Sequence, residues 1–84
     1  VAENVAVLED DKAEVLELEL TDSSDFIDQT IRDIAADIDA DLVIGAVTRN
    51  GELVTPRGDT VLEAGDHLIV FVESSFIDEL TSMV

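Results

Sequence analysis

An α+β fold is predicted: a small β-α-β-β-β-α domain, its mixed or antiparallel sheet covered by two helices. Three observations predict it. Isoleucines recur at helical spacing in "FIDQTIRDIAADID". Two runs, "LVIGAVTR" and "HLIVFV", are apolar at both parities, as strands buried on two faces are. Between them stands Asn50-Gly51, a hairpin signal, because both central residues of a type I′ turn need positive φ.

The elements follow in chain order. Residues 1–12 read as a linker or frayed arm ending in "EDDK". In "AEVLELELT", Leu16, Leu18 and Leu20 alternate with Glu17 and Glu19, which makes a strand with one wet face. "DSSD" breaks it. Ile27, Ile31, Ile34 and Ile38 then form one apolar stripe along a helix over 26–39, with Asp28 as its N-cap and Asp33 and Asp37 on the wet side.

The strand "LVIGAVTR" carries Gly45 in its middle, where a ligand or a packed side chain approaches the backbone closely. Beyond the Asn-Gly turn, "ELVT" folds back, and Pro56 stops it because proline donates nothing to a ladder. "RGDTVLEAGD" is a loop with Val61 and Leu62 tucked inward. Its Gly65 suits a left-handed position and its Asp66 bonds turn amides. After "HLIVFV", Ser75 and Asp78 have the spacing of a capping box, and a short helix carries Phe76, Ile77, Leu80 and Met83.

Composition narrows the functions. Eighty-four residues make one domain, with a modest core that benefits from a partner surface. There is no cysteine and one histidine, which excludes disulfides and thiolate metal sites and speaks against a zinc site. Twenty-one acids oppose Lys12, Arg32, Arg49 and Arg57, for a net charge of −17. Such a surface repels nucleic acid and anionic lipid. The acids are spread rather than blocked, as in a protein of a very salty cytoplasm, where molar salt cuts the Debye length to about 3 Å. An acidic partner-binding face is the other explanation. No apolar run approaches the roughly 20 residues that cross a bilayer, so membrane insertion is not expected. A start at Val, without a basic or apolar leader, suggests a piece of a longer intracellular protein.

Catalysis is not expected. Arg57-Gly58-Asp59 spells an adhesion tripeptide, but in this setting it is a turn. Nothing sets a nucleophile beside His67, and Ser74 and Ser75 read as helix caps. The four glycines build neither a dinucleotide fingerprint nor a phosphate loop, and the aspartates match no EF-hand.

The order of the central stretch is specific. An apolar strand is followed by Arg49, Gly51, Pro56, Leu62, Gly65-Asp66 and a second apolar strand. This order resembles the C-terminal domain of RCK-type potassium-transport regulators, the TrkA-C domain, and residues 13–84 fit its length and element order. The family usually has a glycine before its first helix. Asp28 stands there, and aspartate also tolerates a left-handed backbone.

The resemblance implies a regulatory, ligand-binding or dimerising domain of a cytoplasmic subunit that controls a potassium transporter or channel. It implies residues 1–12 as a linker from a nucleotide-binding RCK N-terminal domain, which would hold any NAD or ATP. The expected partners are a second copy, a membrane transporter subunit that brings the chain to the membrane periphery, and a small anionic nucleotide. In some relatives that effector is cyclic di-AMP, held between two C-terminal domains. By position, the ligand-binding residues are Val43, Ile44, Arg49 and Pro56. An arginine fork suits a phosphate, and an arginine kept for a ligand can be replaced with little loss of fold stability. The alternatives are that Arg49 pairs with a neighbouring acid such as Glu52, and that the domain is a structural dimeriser without a ligand.

Overall fold

The computed structural model describes residues 12–84, and residues 2–8 as a strand. The elements are β1 (Ala2–Leu8), β2 (Ala13–Glu19), α1 (Ile31–Asp37), β3 (Leu42–Arg49), β4 (Glu52–Val54), β5 (His67–Glu73), a 3-10 turn (Ser74–Phe76) and α2 (Ile77–Met83). The strands form one sheet in the order β1-β2-β5-β3-β4, and every pairing is antiparallel.

Alternation decides what each strand buries. Leu16 and Leu18 of β2, Val47 of β3, and Leu68, Val70 and Val72 of β5 turn to the inner face. There they meet Ile34 of α1, Leu80 of α2, Phe26, and Leu62 from the loop after β4. Asn50 (φ 54) and Gly51 (φ 80) make the expected left-handed turn between β3 and β4. β4 ends two residues before Pro56.

Four expectations are corrected. Residues 2–8 are not an arm: they form an edge strand on β2, with a bulge between Asn4 and Ala6. The remainder of the proposed linker, positions 1 and 9–11, lies outside the described residues. α1 is shorter than the isoleucine stripe. Residues 25–28 are turn, Asp28 takes a left-handed φ of 65, and the N-cap is Thr30, whose Oγ1 accepts from the Asp33 amide at 3.1 Å. The stripe still works: Ile34 is buried, and Ile27, Ile31 and Ile38 pack against the core. α2 has no capping box, because the 3-10 turn comes first and the cap position falls on Phe76. Finally, the described residues cover β3 and β5 on one face only. Val43 is 61% exposed and Phe71 44%; Val61, expected inside, is 42% exposed.

The loop between β4 and β5 is tied down by backbone. Leu62 exchanges hydrogen bonds with Asp28 and Gln29, and Thr60 and Gly58 accept from Ile31 and Arg32. At its far end, Leu20 donates to Asp66 O, and Gly65 donates back to Leu20 O, at 2.9 and 2.8 Å. This loop therefore faces the end of β3, where the candidate arginine stands.

Candidate functional site

Arg49 closes β3 on the same parity as buried Val47, so its side chain turns toward the loop. The guanidinium grips Asp66 in a fork: Nε donates to Oδ1 and Nη2 to Oδ2, both at 2.8 Å. Nη2 also donates to Val61 O at 3.0 Å. The third nitrogen, Nη1, lies 2.9 Å from Glu63 Oε2. Two paired N–H···O bonds to one carboxylate are the strong form of this interaction.

Burial makes the two acids unlike. Asp66 is fully buried, and its Oδ2 also accepts the Glu63 amide at 2.9 Å. The hydrogen bonds from Arg49, together with that amide and the cation's charge, hold the Asp66 carboxyl below the usual carboxylate range despite its burial. The same fork raises Arg49 above its ordinary value. The Glu63 side chain, by contrast, is 56% exposed. One cation between two carboxylates leaves the cluster with a net charge of −1.

The alternative read from the sequence was that Arg49 pairs with a neighbouring acid such as Glu52; it does pair with acids, though not with that one. Glu52 sits opposite Arg49 in the hairpin register, but the ion pairs go to Asp66 and Glu63. A signal existed: the Gly-Asp pair belongs to the same ordered motif as the arginine. This geometry runs against the expectation that Arg49 can be replaced with little loss of fold stability, because its removal strands a buried carboxylate.

Val43 is elsewhere. It lies on the outer face in one cross-strand row with Phe71 and Val15. It borders an open groove of about 660 Å³ whose walls include Lys12, Asp41, Phe71 and Glu73. Ile44 pairs with Val70 and packs inward. Pro56 is half-buried in the loop after β4. Six residues of strand, roughly 20 Å at the usual rise, separate Val43 from Arg49, and they face opposite sides. One chain therefore does not bring the four sequence-predicted residues into one cavity. Gly45 answers its own question: a Cβ there would stand 2.6 Å from Phe71 Cε1, so the close approach is a packed side chain. Phe71 and Lys12 were not singled out from the sequence, since neither belongs to a motif.

On the rest of this face, His67 stands between two acids, Nε2 at 3.2 Å from Glu19 and Nδ1 at 3.8 Å from Glu17. Among the described residues, no group of three or more His, Asp or Glu side chains is placed to hold a metal ion. No described helix is long and apolar enough to cross a membrane.

The fold defines a small antiparallel α+β domain with one sheet face left open. The chain belongs to the TrkA-C domain family, whose model matches residues 15–84. It is 39% identical over 62 residues to the Trk system potassium uptake protein TrkA of Azorhizobium caulinodans, covering 74% of this chain and 13% of the relative. With the TrkA homolog of Archaeoglobus fulgidus it shares 33% identity over 69 residues, 82% of this chain and 15% of that protein. The match thus spans a small part of these relatives. Among solved structures, one described as "Structure of RCK domain with cda" superposes with a TM-score of 0.66 at 26% identity, covering 83% of this chain and 96% of that one.

Proposed function

We propose that this chain is the self-associating regulatory domain of a potassium uptake regulator. The observation that carries the proposal is the open outer face, where Val43 and Phe71 are 61% and 44% exposed beside half-buried Ile69. β3 and β5 are apolar at both parities, yet the described residues cover one face only. A second copy offers a matching apolar surface through a two-fold axis. The net charge of −17 on each copy opposes pairing, and molar salt screens that repulsion. As its family resemblance implies, the proposed domain follows a nucleotide-binding domain and acts in the cytoplasm on a membrane potassium transporter; the relatives it matches are named as potassium uptake proteins. Sedimentation in molar KCl at tens of micromolar chain is expected to show a dimer. A clean monomer overturns the reading.

A second reading adds an effector. The solved neighbour is described with cda, and Nη1 of Arg49, held by the 56%-exposed Glu63 side chain, is the part of the guanidinium that a phosphate can address. Val43, Ile44, Arg49 and Pro56 are spread over one chain, so a ligand touching all four requires two copies. The purely structural alternative is a dimeriser without a ligand. A thermal-shift series with cyclic di-AMP separates them, since a ligand that binds only the folded state raises the melting temperature.

A further inference from the structure

We infer that Glu63 is an internal competitor for the anionic effector and sets the selectivity of the Arg49 site. The inference rests on the effector reading above. Asp66 and Val61 O engage Nε and Nη2 of Arg49, which leaves Nη1 as the nitrogen that an incoming anion can address. Glu63 Oε2 already stands there at 2.9 Å.

The two carboxylates differ in their freedom to leave. Asp66 is fully buried and also holds the Glu63 amide, so withdrawing it strands both Arg49 and that amide. The Glu63 side chain is 56% exposed, so it can swing into water, where a carboxylate is fully solvated. With Glu63 in place the cluster carries net −1 and repels an anion; with Glu63 withdrawn, Arg49 and Asp66 form a neutral pair with one open donor nitrogen.

Selectivity follows from tethering. A side chain held beside its target competes at an effective concentration of about millimolar. A free carboxylate metabolite offers Nη1 nothing that Glu63 does not, so it must exceed that concentration. A phosphodiester on a larger ligand brings further contacts and displaces Glu63. The residue therefore admits phosphate-bearing ligands and excludes simple carboxylates.

Calorimetric titration with cyclic di-AMP in molar KCl tests this on the wild type, Glu63→Gln and Glu52→Gln. The last removes one exposed charge from the neighbouring hairpin and serves as a control for long-range charge. Glu63→Gln is expected to bind about fivefold tighter than wild type, the order of one exposed ion pair, with Glu52→Gln changed less than about twofold. A melting temperature for Glu63→Gln close to wild type shows that the fold is intact. Equal tightening in both variants overturns the inference, because bulk charge then explains it. Wild-type binding that Glu63→Gln leaves unchanged also overturns it and keeps the effector reading. Absence of binding in all three proteins overturns both.

Discussion

At its start, β3 places Val43 on the open face beside Phe71; at its end, it turns Arg49 into the loop and holds it between Asp66 and Glu63. The physical demands at the two ends differ. Exposed apolar area costs about 25 cal/mol per Å² and is tolerated until another surface covers it. A buried carboxylate without a partner costs several kcal/mol and is not tolerated at all. The chain therefore completes the charged end by itself and leaves the apolar end open. Stability belongs to the Arg49 corner, and the proposed association belongs to the Val43 face.

The largest expected effect breaks the corner. Arg49→Ala removes both hydrogen bonds to a fully buried Asp66 and is expected to cost about 3–5 kcal/mol in urea unfolding. A loss below about 1 kcal/mol would mean that the pair contributes little to stability. Next, Phe71→Lys puts a charge on the open face. Its unfolding free energy is expected to stay within about 1 kcal/mol of wild type, while the dimer dissociation constant measured by sedimentation rises by about tenfold or more. Equal losses in both would erase the distinction between the two ends.

The smallest effect sharpens the comparison by pH. Asp66 has a folded-state pKa below its ordinary 3.8, so the stability it contributes is complete above that value. It is lost as pH falls through the lower folded value. The gap in unfolding free energy between wild type and Asp66→Asn is therefore expected to narrow below about pH 4. A gap that stays constant to the acid limit would show that the pair's contribution does not depend on the Asp66 charge.

Much of this molecule is set by local rules and was legible in the sequence. Asn50-Gly51 makes its turn because positive φ is inexpensive there, Pro56 follows the end of its strand, and Leu16 and Leu18 turn inward while Glu17 and Glu19 do not. Partner choice and element ends were not local. A stripe of four isoleucines cannot say that residues 25–28 are turn, because the amides of Asp28 and Ile31 go to Leu62 and Thr60 from a loop far along the chain. Ser75 has the spacing of a cap, but the chain leaves β5 through a 3-10 turn that moves the helix start past it. Residues 2–8 alternate too weakly to announce a strand, and pairing with β2 decides it. Arg49 was visible as the one cation where an apolar strand meets a hairpin. Its choice of Asp66 and Glu63 over adjacent Glu52 was tertiary, because only the folded loop buries a carboxylate within reach of the fork. Sequence spacing specifies which side chains share a face, whereas the pairing of buried charges depends on which distant backbone the fold brings alongside them.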